Sequence, residues 1–202
     1  MPVDAPQLYL IAPALMPALA MRDRLSAVLD AHDVACLRLP GAGDETELGR
    51  IADIARDIAH ARDVAVVIDD HVALAHRHGL DGVHLTGGAR AVRYARKELG
   101  TEAIVGAFCG ASRHDGMNAG EAGADYVSFG PCGPTTLGLG DPAGMDLFQW
   151  WSEVIEVPVV AEGALDAALI RQLWNLADFI AIGPEIWSAE DPAAALSALW
   201  GP

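Results

Sequence analysis

Cysteine is scarce in this chain. Cys36, Cys109 and Cys132 are the only three among 202 residues, and none stands in C-x-x-C spacing. An odd count without paired spacing argues against a disulfide framework. Long apolar runs are missing too. The uncharged stretch from Leu8 to Met21 is interrupted by Pro13 and Pro17. That is too short for a membrane span, which needs about 20 apolar residues. The opening segment carries Asp4 and no basic cluster, unlike a secretory signal. The cytoplasm is the expected compartment. Basic residues are few: 13 Lys and Arg stand against 28 Asp and Glu, giving a net charge of −15. Such a field repels polyanions and excludes nucleic acid and anionic membrane as natural partners. It repels a free phosphate ester as well, so a phosphate site would need compensation from backbone N–H groups or a helix N-terminus.

What is present is the material of a compact globule, with 52% hydrophobic and 20% charged residues. A chain of this length buries roughly 70% of its unfolded surface, so one domain over 1–202 is expected. Short apolar runs recur from end to end at Leu8–Ala12, Val34–Leu39, Val64–Ile68, Gly82–Leu85, Ala103–Phe108, Ala124–Phe129, Pro158–Ala161 and Phe179–Ile182. Their continuous apolarity suits strands of a parallel sheet covered on both faces. Amphipathic stretches with helix signals lie between them. Asp44 and Glu47 open one such stretch, His76, Arg77, His78 and Gly79 close another, and Asp191-Pro192 starts the last. Eight strand–helix units predict an α/β fold, a single (β/α)8 TIM barrel, with an open doubly wound sheet as the competitor. A weak repeat, Gly-x-Asp, precedes strands at Gly79-Leu80-Asp81 and Gly123-Ala124-Asp125, with Ala177-Asp178 as a variant.

In such a barrel the residues just past each strand converge on one rim. The glycine-rich segment from Gly130 through Gly133, Thr135 and Thr136 to Gly140 offers close backbone approach and two hydroxyl donors. Gly163 and Gly183 follow the seventh and eighth strands, where barrel phosphate sites form. Asp69-Asp70 ends the third strand and offers carboxylates to Mg²⁺, unless Asp70 caps the following helix. Arg38 is the basic residue directly at a strand end, a candidate for an anionic group or for a salt bridge to Asp69 or Asp70. Glu162 closes the seventh strand, where an acid needs a task or a partner such as Arg38. His84 lies inside an apolar strand and reads first as an interior residue. His71, His76 and His78 do not share a helix face at metal spacing. Cys109 and Cys132 read as small buried residues.

Taken in order, several blocks resemble the thiamine phosphate synthase family, which includes thiazole tautomerases. They are Leu8-Tyr9-Leu10-Ile11, Ile68-Asp69-Asp70, Gly82-Val83-His84-Leu85, Gly123-Ala124-Asp125-Tyr126-Val127 through Phe129-Gly130-Pro131, Pro158-Val159-Val160-Ala161 and Ala177-Asp178. The resemblance implies an enzyme that transfers a hydroxymethylpyrimidine group from its diphosphate to thiazole phosphate in thiamine biosynthesis. Mg²⁺ would help the diphosphate leave, and the thiazole nitrogen would capture the pyrimidine cation. On that likeness Asp70, joined by Asp69, would be a metal ligand and Arg38 would hold the diphosphate. Gly163, Ala164 and Gly183 would cradle the thiazole phosphate, with His84 in the pocket wall.

The chain also departs from the family pattern. The family's second-strand glutamine falls at Cys36, and the lysine past its arginine falls at Pro40. The asparagine before the metal aspartate is Asp69, and the second metal aspartate falls near Ala89. A serine after the fifth strand becomes Phe108 or Cys109, the lysine closing the threonine loop falls near Gly138, and one phosphate glycine is Ala164. The tautomerase histidine gives way to Pro131. Three readings follow: an active transferase, a non-catalytic or regulatory phosphate-ligand-binding relative, and an isomerase or tautomerase using Glu162 or His84. In each the partner is a small phosphorylated heterocycle, and self-association as a homo-oligomer is left open.

Overall fold

A computed structural model describes residues 5–13, 18–134 and 142–201. Eight parallel strands close on themselves in chain order, β8 pairing back to β1. The strands are β1 (Gln7–Ile11), β2 (Val34–Leu39), β3 (Ala65–Asp69), β4 (Gly82–Leu85), β5 (Ile104–Phe108), β6 (Tyr126–Phe129), β7 (Val159–Glu162) and β8 (Phe179–Ile182). Helices alternate with them: α1 (Ala18–Ala31), α2 (Glu45–His60), α3 (Val72–His78), α4 (Gly88–Leu99), α5 (Arg113–Glu121), α6 (Met145–Val154) and α7 (Ala167–Leu173). A single turn, α8 (Pro184–Trp187), and then α9 (Pro192–Leu199) follow β8. This is the (β/α)8 barrel that the alternation predicts, and the open sheet is excluded by the β8–β1 pairing. Among the described residues no helix is long and apolar enough to cross a membrane.

Two cores explain why the strands read as continuously apolar. Leu8, Leu10, Leu37, Val66, Ile68 and Val127 face the helices. The alternate side chains Tyr9, Cys36, Val67, Tyr126, Val160 and Ala181 fill the barrel interior. The interior is not wholly apolar. Tyr9 and Tyr126 join their hydroxyls at 2.7 Å, and the Tyr126 hydroxyl meets His84 Nδ1 at 2.9 Å.

The Gly-x-Asp repeat has a mechanical meaning. Asp81, Asp125 and Asp178 each sit just before an even-numbered strand and accept from the first amides of the preceding odd one. Asp81 takes Val66 N–H, Asp125 takes Val105 N–H and Asp178 takes Val159 N–H, each at 2.7 Å. The same three aspartates return their own N–H groups to the carbonyls of Val66, Val105 and Val159. These reciprocal clamps tie the strands pairwise at the end opposite the mouth. They also explain why β6 starts at Tyr126, with Ala124 and Asp125 outside it. Replacing Asp178 with Ala leaves the Val159 N–H without its carboxylate partner. We expect it to lower unfolding free energy by about 1–3 kcal/mol, read as a lower urea midpoint at unchanged slope.

Candidate active site

The C-terminal ends of the strands surround a cavity of about 600 Å³. Arg38, Glu162, Gly163, Ala164, Pro184 and Glu185 form its polar and backbone side, and Ile11, Phe108, Pro131 and Ala181 its apolar side.

Arg38 is the centre of this arrangement. Its side chain projects inward from β2, is 11% exposed, and spans two carboxylates. Nε donates to Asp69 Oδ1 at 2.6 Å and Nη2 to Asp69 Oδ2 at 3.2 Å, a two-point contact with the end of β3. Nη1 donates to Glu162 Oε2 at 2.8 Å, at the end of β7 across the barrel. Among the described residues three of the five guanidinium donors are therefore engaged and two remain. Burial pushes the Asp69 and Glu162 carboxyls above their usual range, outweighing the downward pull of Arg38. The two acids in turn raise Arg38, so the guanidinium stays charged. The Ser128 hydroxyl, buried in β6 without a hydrogen-bond partner among the described residues, favours the ionised form of Glu162 from a greater distance.

Asp69 and Asp70, read together as metal ligands, point to different places. Asp69 is committed to Arg38. Asp70 turns out of β3 with φ +56°, and its carboxylate accepts from Thr86 N–H at 2.9 Å and Thr86 Oγ1 at 2.6 Å. It caps no helix, since His71 holds the N-terminal position of α3. It lines a neighbouring depression with Glu45, His71 and Tyr94 rather than the Arg38 cavity. Among the described residues no group of three or more His, Cys, Asp or Glu could hold a metal ion.

In the described part of the glycine-rich segment, Gly130 and Gly133 serve the backbone of the protein itself. Gly130 N–H is bonded to Gly110 O at 3.0 Å, and Gly133 N–H to Gly163 O at 3.1 Å. A Cβ on Gly130 would lie 2.4 Å from Glu162 O, and one on Gly133 would lie 2.0 Å from Ala164 O. These glycines admit the backbone after β7 and have no N–H left for an anion. Thr135 and Thr136 lie outside the described residues. Gly163 and Ala164 do line the cavity, both with positive φ, +89° and +54°. Gly183 N–H faces the Glu185 carboxylate.

His84 is wholly buried beneath the mouth, and its Nε2 has no hydrogen-bond partner among the described residues. Burial first, and then Arg38, hold its pKa well below the usual value. It is a neutral imidazole that cannot serve as a charged acid. Cys109 and Cys132 are buried, and burial pushes both thiols up to about 12, as inert packing residues require. Two residues escaped the sequence reading. Ser128 carries no signal in an apolar run, and Glu185 reads as an ordinary first-turn acid.

The thiamine monophosphate synthase family matches residues 8–186. The chain is 44% identical to a thiamine-phosphate synthase of Rhodospirillum centenum over 198 residues, 95% of this chain and 94% of that protein. It is 39% identical to that of Erythrobacter litoralis, over 93% of this chain and 91% of the relative. A thiamine phosphate pyrophosphorylase from Pyrococcus furiosus superposes with a TM-score of 0.81 at 24% identity, covering 94% and 91% of the two chains. An orotidine 5'-phosphate decarboxylase from Pyrococcus horikoshii does so at 0.68 and 13%, covering 94% and 96%. Those two likenesses bear on the barrel alone.

The buried imidazole gives the protein a pH signature. The unfolded chain takes up a proton on His84 near pH 6.5 while the folded ring stays neutral. The stability this group contributes is complete above 6.5 and is lost as pH falls, by about 1.4 kcal/mol per unit below that value. His84→Phe should flatten the stability profile between pH 7.5 and 5.5, measured by urea unfolding against the parent protein.

Proposed function

The chain belongs to the thiamine monophosphate synthase family, and from that premise we propose that it is an enzyme joining a hydroxymethylpyrimidine diphosphate to thiazole phosphate at the Arg38 cavity. The observation that carries this reading is the pairing of Arg38 with Glu162 across a mouth whose other wall is apolar. Transfer of this kind needs an anchor for a departing anion and a partner for the positive charge left behind. It also needs walls that keep water from the cation.

The two unengaged donors of Arg38 are suited to the phosphate oxygens of the diphosphate. Glu162 uses one oxygen on Arg38, and no hydrogen bond occupies the other among the described residues. That oxygen is suited to accept from the exocyclic amino group of the pyrimidine. As the carbon–oxygen bond to diphosphate lengthens, positive charge spreads through the ring to that amino group, and the fixed carboxylate stabilises it. Such a charge at about 4 Å is worth on the order of 4 kcal/mol at a dielectric near 20, or roughly a thousandfold in rate. Phe108, Pro131 and Ile11 offer flat apolar surface to the rings. The Leu165 and Gly183 N–H groups, which meet the Glu185 carboxylate and no backbone carbonyl, are suited to donate to the thiazole phosphate once that side chain moves aside. His84, neutral and one layer below, positions the interior and takes no proton.

The family's Mg²⁺ fits Asp70 and does not fit Asp69. Mg²⁺ usually keeps several waters and takes one or two carboxylates plus substrate phosphate. Asp70 is exposed and spends its oxygens on neutral Thr86 donors, whereas both Asp69 oxygens are held by a guanidinium. When bound, the ion would neutralise charge on the departing diphosphate, which a mouth with one buried cation and several acids needs.

Incubation with both substrates and Mg²⁺ should give thiamine phosphate and one diphosphate per turnover, by chromatography. No product at saturating substrates, with thiazole phosphate still bound, would move the reading to the non-catalytic relative. Within the active enzyme, Glu162→Gln should lower kcat by up to about a thousandfold, with little change in KM for thiazole phosphate. Because burial raises Glu162 above the ordinary carboxylate range, kcat should fall as pH drops through that raised value. The Gln variant should lack this acid limb.

A further inference from the structure

Glu185 has no part in the bond-making above, yet it shares the cavity with Arg38, Gly163 and Ala164. It stands just after Pro184 in the single turn α8. Both its oxygens are taken by backbone donors from two different loops. Oε2 accepts from Gly183 N–H, after β8, at 2.8 Å, and Oε1 from Leu165 N–H, after β7, at 3.3 Å. Glu185 makes no salt bridge among the described residues, so these amides are its polar partners.

Amides from the loops after strands seven and eight are where barrels of this class hold a ligand's phosphate. Here a carboxylate of the chain itself stands in that position. The turn that aims the Leu165 N–H runs through two successive left-handed residues, Gly163 and Ala164. An alanine in that region is strained by roughly 1 kcal/mol or more, so the amide is held in place against a local cost. The acid that meets it carries a charge that a phosphate would repel.

We propose that Glu185 is an internal anion. In the unliganded protein its carboxylate occupies the amide pair of Leu165 and Gly183, and a ligand phosphate binds there only by displacing it. The identity of that phosphate as the thiazole substrate's rests on the proposed function. The side chain is half-buried at the cavity edge, so rotation about its own bonds releases it without moving β8. Glu185 then determines how tightly phosphate-bearing ligands are held. It weakens substrate and product alike, favours product release, and stays in place when the ligand carries no phosphate. The rival account is a helix cap and nothing more, in which case removing it loosens α8 and gains no affinity for phosphate.

The test follows the amide resonances of Leu165 and Gly183 during titration with inorganic phosphate, in the full-length protein and in Glu185→Gln and Glu185→Ala. Both amides should shift together, with half-saturation at about tenfold lower phosphate or less in the variants. That is the effect of one like charge removed from a dianion a few ångströms away. The Gln variant preserves shape and guards against loss of the fold in the Ala variant. Equal or weaker phosphate binding in the variants, or shifts that bypass these amides, overturns the proposal. Synthase assays separate the two ideas. Turnover with an unchanged phosphate midpoint refutes only the internal anion, and a lowered midpoint without turnover refutes only the proposed reaction.

Discussion

Everything at the mouth depends on one buried cation held between two acids. Arg38 reaches from β2 to Asp69 on the neighbouring β3 and to Glu162 on β7, which pairs with neither of them. A guanidinium in this position without partners would carry a large desolvation cost, and so would either acid alone. Together they fix three side chains whose freedom would otherwise be considerable. The arrangement does not stabilise the fold in the manner of an apolar core, since well-packed hydrophobes can match a buried ion pair. Its value is geometric: it presents two guanidinium donors and one carboxylate oxygen at fixed positions beside an apolar wall.

A strongly acidic chain needs a local source of positive potential to hold an anionic ligand. The net charge of −15 works against a diphosphate at long range, but screening reduces such fields beyond about 8–10 Å. What matters inside the cavity is the local balance, and there Arg38 faces Asp69, Glu162 and Glu185. Backbone amides and a divalent ion are the two sources of positive potential that need no basic side chain. The chain has a single lysine, Lys97, placed on α4 away from the cavity lining. The family lysines are therefore not replaced by another lysine from elsewhere in the sequence.

The parts of the fold that could be read from sequence are those governed by local rules. Strands β2, β4 and β8 match their apolar runs residue for residue, and Asp44 and Asp191 open helices and Gly79 closes one as their chemistry dictates. The Gly-x-Asp repeat was visible as a pattern, but its role was not. Each aspartate clamps an amide 15 to 20 residues away along the chain, and nothing local names that partner. The same limit applies to the site. Strand-end position identified Arg38, Asp69 and Glu162 as rim residues, and a bridge from Arg38 was one of the readings left open. That a single guanidinium meets both acids is a fact of barrel closure. Asp70 and Asp69 are adjacent in sequence and diverge in space because Asp70 enters the left-handed region as the strand ends.

Gly130 and Gly133 show how glycine at a barrel mouth can serve packing of the backbone. Glycines before a helix at a barrel mouth suggest donors waiting for phosphate, but the amides of Gly130 and Gly133 are already bonded to protein carbonyls. Cys132 N–H meets Glu162 O and Gly163 O, each at 3.0 Å, and Gly133 N–H meets Gly163 O. A side chain on Gly130 would also come within 2.9 Å of Glu162 Cγ. The missing side chains thus let the β6 loop lock onto the backbone that carries Glu162 and leave room for its carboxylate to reach Arg38. The described part of the segment therefore holds the acid in place, and on the proposed reading it is the loops after β7 and β8 that offer amides to a phosphate, through Leu165 and Gly183.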